Sequence, residues 1–478
     1  MDRMAGKEFI YILHVICYDR RCCWVQKCKK FGEVFDVRES VFDLMKEEKI
    51  THFQIHHNWR NGSFALYGAK EWEPNQKWSD FNKTFDVWTL LTDKAVYYND
   101  EQCRALFAKH GISGYLEKIM ELMRGARHCL EDFYYWEKED VRFLNNIHST
   151  QLGLKNRRQS LVMGGIRRHV REEDEIDMII DGMNLGRGMS FKNVAGHVPM
   201  GGCKITVMQD PLDLRNMENL AFLAYCNERT RNTTGPDMRF PTEMTGIIKK
   251  NWSLAITGDP NGPLGETGTP TAYGVFKAGL KAAKFLWGSE DVSGKKVAIQ
   301  GLGSVGYHLA ELYIKANADV TVADMDDATV KKLKAAYPKV DIKVADPVSI
   351  LTTECDILVP SAIGGIITED LIPLLRTKAI FGPANNQLRA TNPDQEIAMA
   401  KKVAAAGILF QTEWMHNVAG VMAGYEEYIN QENASRENLY RSIDEVIEDT
   451  WINLTEAKKE GITPTERAYR VASEAIYS

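Results

Sequence analysis

The sequence predicts an α/β fold whose C-terminal half is a parallel, doubly wound sheet. From Val297 onward, short apolar runs alternate with helical patterns or loops, and the first run leads directly into a G-x-G-x-x-G motif. A turn-rich segment precedes this region. Alternating strands and helices are typical of βαβ units, in which helices connect parallel strands. The six apolar runs are Val297–Gln300, Val320–Ala323, Ile342–Ala345, Ile357–Pro360, Ala379–Gly382 and Ile408–Gln411.

Composition excludes several classes of protein. The chain has 478 residues, 44% of them hydrophobic, which is enough to build packed cores and excludes wholesale disorder. A net charge of −6 argues against a nucleic-acid partner, which would require a basic face. No apolar run approaches the roughly 18 residues of a membrane span. The apolar stretch Phe9–Cys17 is interrupted by His14 and lacks a following A-x-A site, so we expect a buried strand or helix there.

The nine cysteines are mostly scattered, which favours a reducing, cytoplasmic compartment over a disulfide framework. Four of them cluster, but their spacing lacks the C-x-x-C pairs of a typical metal site. Neighbouring lysines and arginines would also repel a cation, so we predict no metal site. The clustered residues are Cys17, Cys22, Cys23 and Cys28.

Residues 1–145 form the first of four predicted segments, an N-terminal α+β extension or insertion to which the sequence assigns no role. A β-hairpin is predicted from Ile50–Ile55 and Phe64–Tyr67, which flank an Asn61-Gly62 turn. Residues 101–137 have a helical pattern. The aromatic run Phe133–Trp136 is more typical of a core or interface than of a ligand site.

Residues 146–270 form the second predicted segment, an α/β region. Ile176, Ile179, Ile180 and Met183 have the spacing of an amphipathic helix, and a strand-like run with a glycine pair follows. A turn-rich linker over 258–270 marks the next boundary. The third segment, 271–430, is the predicted dinucleotide-binding domain, and 431–478 are predicted C-terminal helices.

The motif Gly301-Leu-Gly303-Ser-Val-Gly306 lies between a predicted strand and a predicted helix. Glycines in this pattern allow a tight turn and close approach of a pyrophosphate to the helix N-terminus. Asp324 ends the next strand 18 residues after Gly306, a spacing that suits a carboxylate on a ribose 2′-hydroxyl. Two further aspartates follow and would repel a 2′-phosphate, so NAD is predicted over NADP. The cofactor residues predicted from the motif are Gly301, Gly303, Ser304, Val305, Gly306 and Asp324.

Two lysines, Lys192 and Lys204, precede the linker, and the second follows a glycine pair. In one cleft, desolvation and like charge would favour the neutral amine of one lysine, which could act as acid or base. The other lysine would stay charged and bind a carboxylate. Most lysines are solvated surface groups, so this pattern by itself only suggests a site.

A series of ordered motifs from Ile147 to the C-terminus resembles the glutamate/leucine/phenylalanine/valine dehydrogenase superfamily, and the leucine dehydrogenases most closely. Besides the dinucleotide fingerprint at Gly301–Gly306, the motifs are Ile147–Gly153, Gly164-Gly165, Met189–Asn193, Gly201–Lys204, Asp210-Pro211, Thr271–Gly274, Cys355–Leu358, Gly364–Ile367 and Ala384–Leu388.

The resemblance implies NAD-dependent, reversible oxidative deamination of an L-amino acid to a 2-oxo acid and ammonia. It implies that residues 146–270 are the substrate-binding and oligomerisation domain. The active site would be the cleft between this domain and a C-terminal Rossmann domain, and a homo-oligomer is expected. Lys192 would bind the α-carboxylate and Lys204 would be the catalytic lysine. The resemblance places Thr271, Ala362, Asn385 and Asn417 at the cofactor.

This sequence departs from the superfamily at the aspartate that shuttles a proton after the catalytic lysine. The nearest match is Glu243, within Pro241–Gly246, and Asp237 is the alternative. The superfamily's Asn-Ala-Gly-Gly also becomes Asn417–Gly420, and the N-terminal region is longer than usual.

The predicted substrate is apolar. The residue before Gly164-Gly165 is a lysine in the glutamate enzymes, where it pairs with the substrate's second carboxylate, but here it is Met163. Gly424 stands where those enzymes have serine, which predicts a pocket deep enough for leucine or an aromatic chain. The predicted substrate residues are Lys192, Met163, Gly164, Gly165, Val421 and Gly424. Two alternatives stay open, namely a noncatalytic NAD-binding sensor or scaffold and a dehydrogenase of altered substrate.

Overall fold

The computed structural model describes residues 39–80, 92, 94–150, 161–209 and 215–477. Residues Ser40–Ser478 form one compact unit that contains two β-sheets. The stretch Phe9–Cys17 and the cysteine cluster at 17–28 lie outside the described residues, and so do residues 151–153 and 210–211 of the sequence motifs. The five cysteines within the described part of the chain are free. Among the described residues, no helix is long and apolar enough to cross a membrane.

The larger sheet has eight strands in the order β3-β2-β1-β4-β5-β7-β6-β8. Strands β6, β7 and β8 are parallel to one another, and the remaining pairs are antiparallel. The strands are β1 His52–Asn58, β2 Ser63–Lys70, β3 Val96–Tyr98, β4 Leu130–Trp136, β5 Val141–Ile147, β6 Val162–His169, β7 Gly201–Met208 and β8 Asn232–Pro236.

The N-terminal segment contributes five of these strands, including the predicted hairpin, which is β1 and β2. The division expected at residue 145 falls inside β5, which pairs with β7 so that Asn146 lies opposite Lys204. Residues 52–147 are therefore continuous with the sheet that carries the lysine.

The helix expected over 101–137 is only partly correct. Helices α2 (Asp100–Lys109) and α3 (Ser113–Ala126) form, but Arg127 takes the left-handed conformation and ends α3. The aromatic run then lies in β4, because aromatic side chains favour a pleated, buried surface. Phe133 and its three neighbours are buried, as the sequence predicted.

Helix α4 (Glu175–Ala195) packs on β7 and sets the spacing of the two lysines. Asp174 caps its N-terminus by accepting from the Ile176 backbone N–H. The contact requires glycine, since a Cβ at Gly202 would lie 2.1 Å from the Ser190 backbone nitrogen. Close packing of helix on strand thus places Lys192 and Lys204 on neighbouring elements.

The second sheet is parallel and doubly wound, with strand order β11-β10-β9-β12-β13-β14. This arrangement, three strands outward on each side of a central switch point, is that of a Rossmann domain. The predicted α/β fold class is confirmed. The strands are β9 Lys296–Gln300, β10 Asp319–Ala323, β11 Lys343–Val344, β12 Ile357–Pro360, β13 Ala379–Ile380 and β14 Leu409–Phe410.

Helices cover both sheets, and the C-terminal helices pack on other helices. Helix α12 packs on α7, and α13 packs on α4 and α10. The hydroxyl of Tyr477 in α13 shares a hydrogen bond with His148, just after β5. The remaining helices are α1 Val41–Glu48, α5 Met217–Arg229, α6 Glu243–Asn251, α7 Gly268–Trp287, α8 Gly306–Lys315, α9 Asp327–Ala336, α10 Pro393–Ala405, α11 Ala419–Asn430, α12 Arg436–Glu460 and α13 Pro464–Tyr477.

Candidate active site

A cleft of about 470 Å³ is lined by strand residues of the first sheet and by loop and helix residues that flank both sheets. Ten predicted site residues line it, which brings the substrate residues and part of the cofactor set together. They are Met163, Gly164, Gly165, Lys192, Lys204, Ser304, Asn385, Asn417, Val421 and Gly424.

Lys204, in β7, forms the central ion pair of this cleft. Its Nζ lies 2.6 Å from Oδ2 of Asp237, and the lysine side chain is 7% exposed. Arg167 Nε donates to the same carboxylate oxygen at 2.9 Å, and Arg167 also pairs with Asp181. Burial acts to raise the pKa of Asp237, but Lys204 and Arg167 outweigh it and hold that pKa well below its usual range. Asp237 is therefore an ionised carboxylate in contact with an amine.

The structure places the two proton-shuttle candidates, Asp237 and Glu243, differently relative to Lys204. Glu243 is exposed in the first turn of α6, and among the described residues that line the cleft Asp237 is present and Glu243 is not. Asp237 directly follows β8, whose parallel pairing with β6 brings its end beside Lys204. Glu243 comes after a further turn, in the first turn of α6, and is not among the described residues that line the cleft.

Lys192, near the end of α4, lies on the opposite side of the cleft. Its Nζ donates to Oδ1 of Asn385 at 2.8 Å, and Asn417 Nδ2 donates to the same oxygen at 2.9 Å. Burial and the nearby Lys204 lower the pKa of Lys192 to about 8, although the Glu413 carboxylate opposes the shift. The sequence analysis expected one of the two lysines to have a lowered pKa, and this lysine is Lys192. It is also the lysine that the resemblance assigns to binding the α-carboxylate.

Met163 and Gly424 meet at the apolar end of the cleft. Met163 is 3% exposed in β6, and a Cβ built on Gly424 in α11 would lie 2.6 Å from its methyl carbon. The same Cβ would lie 3.1 Å from Thr257 Oγ1. The space that the sequence predicted as open at Gly424 is therefore filled by the Met163 side chain. A methionine is flexible, so the pocket can change depth by rotation of that side chain.

The dinucleotide motif forms a cradle at the switch point of the second sheet. Gly301 has a φ of +93°, and a Cβ there would lie 2.9 Å from the Ala362 backbone nitrogen at the end of β12. A Cβ at Gly306 would lie 2.0 Å from the Gly301 carbonyl oxygen, whereas nothing lies within 4 Å of the corresponding point at Gly303. The motif is thus closed where helix and strand pack and open where a pyrophosphate would approach, as a dinucleotide requires.

Asp324 holds this cradle together before any ligand binds. Its Oδ2 accepts from the Leu302 backbone N–H at 2.6 Å and its Oδ1 accepts from the Asp326 N–H at 2.8 Å. Each carboxylate oxygen keeps a further lone pair for a ribose hydroxyl. Several predicted cofactor residues lie beside the cleft without lining it, namely Gly301, Gly303, Val305, Gly306, Asp324, Thr271 and Ala362.

Sequence reasoning missed three groups at the cleft. Arg167 forms an ion pair with Asp237. Glu413 lies close enough to Lys192 for its charge to affect the pKa of the lysine. Glu427 pairs with Lys249 and accepts a hydrogen bond from the Gly258 N–H. Arg167 follows the glycine pair in β6 and could have been found from strand alternation. The two glutamates carry no local signal, because their partners are distant in the chain.

Comparison with known proteins connects this geometry to one family. Residues 262–478 match the family model described as Glutamate/Leucine/Phenylalanine/Valine dehydrogenase. A leucine dehydrogenase of Bacillus subtilis is 31% identical over 73% of this chain and 94% of its own. A valine dehydrogenase of Streptomyces virginiae is 30% identical over 69% and 88%. The crystal structure of an L-tryptophan dehydrogenase from Nostoc punctiforme superposes with a TM-score of 0.61 at 25% identity, covering 74% of this chain and 98% of that one.

Proposed function

Because the chain belongs to the glutamate/leucine/phenylalanine/valine dehydrogenase family, we propose that it catalyses reversible, NAD-dependent deamination of an apolar L-amino acid. The products are the 2-oxo acid and ammonia. The observation that carries the proposal is the contact between the Lys204 amine and the Asp237 carboxylate in a cleft that also holds Lys192. A binding protein without chemistry has no need for this pairing of an acid and a base.

Lys192 binds and orients the substrate. Its ammonium has one hydrogen bond to Asn385 and two further N–H donors for the α-carboxylate. Asn417 donates to the same oxygen of Asn385 and so holds that side chain in place. The Lys192 ammonium, the substrate α-carboxylate and the substrate α-carbon therefore keep a fixed arrangement. Accurate orientation of this kind contributes much of an enzyme's rate enhancement.

Lys204 and Asp237 handle the protons. NAD, bound at the Gly301–Gly306 cradle, supplies the hydride acceptor. In the Lys204–Asp237 ion pair the lysine begins as an ammonium and Asp237 as a carboxylate. Lys204 passes one proton to Asp237, and the neutral amine then takes a proton from the water that adds to the α-carbon. Asp237 gives its proton to the substrate nitrogen, which leaves as ammonia, and both groups return to their charged forms.

The cofactor preference follows from charge. Asp324 lies at the end of β10 with Asp326 and Asp327 after it, so a 2′-phosphate would meet three carboxylates. NAD, which has a free 2′-hydroxyl, gains a hydrogen-bond acceptor instead.

The substrate preference follows from the end of the cleft. Met163 and Val421 offer apolar contacts, and Glu427 is already paired with Lys249. A second substrate carboxylate would face Glu427 with no free cation beside it among the described lining residues, which costs several kcal/mol. An apolar chain gains about 0.8 kcal/mol per buried CH₂. A homo-oligomer and a cytoplasmic location remain predictions of the sequence.

The test is an absorbance assay at the NADH band with leucine, valine, phenylalanine, tryptophan and glutamate, with Lys204→Ala as the control. We expect turnover with an apolar amino acid and loss of turnover in the variant. NADH binding without turnover of any L-amino acid would support the sensor or scaffold alternative. A glutamate preference would refute the apolar pocket.

A further inference from the structure

Glu413 is a buried carboxylate at the cleft whose charge the reaction as described does not use. It begins a short 3₁₀ turn, Glu413–Met415, after β14, is 2% exposed, and lines the cleft. Its Oε1 accepts from the Asn386 backbone N–H at 2.6 Å. Its Oε2 is buried and has no hydrogen-bond partner among the described residues. A buried carboxylate with one unpartnered oxygen is costly, which indicates that its charge has a use.

The Asn386 contact links Glu413 to the residues that hold Lys192. Asn386 has a φ of +52°, a left-handed conformation that a non-glycine residue adopts at a cost. The preceding Asn385 presents the oxygen that accepts from Lys192 and Asn417, and the Asn417 backbone N–H donates to the Glu413 carbonyl at 2.8 Å. Glu413 therefore holds the turn that carries Asn385, the partner of Lys192, and its carbonyl also holds Asn417, which bonds to Asn385.

The electrostatic relation to Lys192 is direct. Burial and Lys204 lower the pKa of Lys192, and Glu413 is the first of the groups that act to raise it. Burial and the neighbouring Glu396 raise the pKa of Glu413 to about 7, although the Asn386 N–H and Lys192 act to lower it. The Glu413 carboxylate is therefore mostly ionised at pH 8 and increasingly protonated below pH 7. The titratable and charged groups that face the two residues are Arg187 in α4, Glu396 in α10, Tyr469 in α13, His416 after the 3₁₀ turn, and Lys204 and Asp237 across the cleft.

We propose that Glu413 is a positioning residue that holds the Asn385-Asn386 turn in place and keeps the Lys192 ammonium charged for the substrate carboxylate. The inference rests on the proposed function for the identity of the bound carboxylate. It predicts that the charge and the hydrogen bond of Glu413 have separable effects.

Glu413→Gln separates them, since the amide oxygen can still accept from Asn386 while the charge is lost. We expect KM for the 2-oxo acid to rise at least about fivefold at pH 8, as expected when the pKa of Lys192 falls from about 8 by one unit or more. The KM for NADH and the melting temperature should stay near wild type. The KM penalty should shrink toward pH 6.5, because Lys192 regains its proton. Glu413→Asp, which keeps the charge, should restore KM partly.

The matched control is Glu396→Gln, a neighbouring buried carboxylate that accepts from Tyr469 and does not line the cleft among the described residues. Its KM should stay within about twofold of wild type. In a Lys192→Met background, Glu413→Gln should have no further effect on KM, because residues that act through one group are not additive. An equal effect in both backgrounds, or a fall in melting temperature that accounts for the loss, would overturn the proposal.

A second measurement does not depend on turnover. Lys192 is labelled with an amine-reactive reagent across pH, and the extent of labelling is followed by mass spectrometry of the peptide that contains it. Labelling should begin at lower pH in Glu413→Gln than in wild type. Coincident curves would refute the electrostatic role even if KM changed. If wild type turns over no amino acid but the labelling shift is present, the proposed function fails and the Glu413–Lys192 relation stands.

Discussion

The Lys204 amine and the Asp237 carboxylate lie 2.6 Å apart, and Arg167 holds the carboxylate from its other side. Asp237 is thereby fixed in position and kept ionised, while Glu243 six residues later is exposed on α6. This relationship supports the proposed proton transfer between Lys204 and Asp237 and leads to the first prediction.

Asp237→Asn should lower kcat by at least about two orders of magnitude, because a positioned acid–base group is lost. Glu243→Gln should keep kcat within about twofold of wild type, because this substitution removes no contact with the cleft. NADH titration of both variants by fluorescence checks that the cofactor still binds. The reverse pattern, an inactive Glu243→Gln and an active Asp237→Asn, would return the shuttle to Glu243.

Binding of the 2-oxo acid to the enzyme–NADH complex should weaken as pH rises through about 8, the pKa of Lys192. Below that pH the amine carries a proton and attracts the carboxylate, and above it the attraction is lost. The 2-oxo acid stays an anion throughout, so its own ionisation does not contribute. Quenching of NADH fluorescence at a series of pH values measures the Kd. Lys192→Met should bind weakly with little dependence on pH, and a wild-type Kd that is constant from pH 6.5 to 9.5 would contradict the role.

NADH should bind more tightly than NADPH, and Asp324→Asn should narrow the difference, because one of the carboxylates that would face a 2′-phosphate is removed. The amide oxygen can still accept from the Leu302 N–H, so the cradle should persist. Asp346→Asn is the control, since Asp346 likewise accepts from backbone N–H groups but lies after β11. Isothermal titration at one salt concentration gives the six affinities, those of NADH and NADPH for wild type and for each of the two variants. Equal affinity of wild type for both cofactors would refute the assignment.

Gly424→Ala should shift specificity from large to small side chains. The new Cβ would lie 2.6 Å from the methyl carbon of Met163. The methyl group must therefore move, and we expect it to move into the pocket and reduce the space for the substrate side chain. The ratio of kcat/KM for leucine to that for valine should fall, by up to tenfold for about one methylene of lost space. Gly424→Ala with Met163→Ala should recover the larger substrate. An unchanged ratio would show that another surface determines the size of the side chain.

Gly202→Ala should destabilise the protein and reduce activity together, because its Cβ would lie 2.1 Å from the Ser190 backbone nitrogen and would push α4 away from β7. Overpacking of this kind costs about 1–3 kcal/mol. Gly125→Ala in α3 is the control, as nothing lies within 4 Å of its added Cβ, and it should stabilise by about 0.5–1 kcal/mol. Urea unfolding measures both changes. A Gly202→Ala protein as stable as wild type would show that the helix does not depend on this close approach.

The sequence by itself determined the parallel sheet, the dinucleotide cradle and the two lysines. These features are local or nearly so: glycine spacing, apolar runs and helical periodicity each act within a few residues, and the ordered motifs carried the family. It also indicated that residues such as Phe133 are core, although it assigned them to a helix where an aromatic strand forms.

Only the tertiary structure showed that Asp237 is the carboxylate in contact with Lys204. It also showed that Met163 fills the space beside Gly424 and that the charge of Glu413 acts on Lys192. Asp237 and Glu243 are six residues apart and both are acidic, so the choice depended on where β8 ends beside β6. Met163 packs against Gly424, and the Glu413 charge acts on Lys192, although the members of each pair are distant in the chain. Contacts and charges of this kind depend on distance in space, and a linear pattern does not contain that distance until the strands pair and the helices pack.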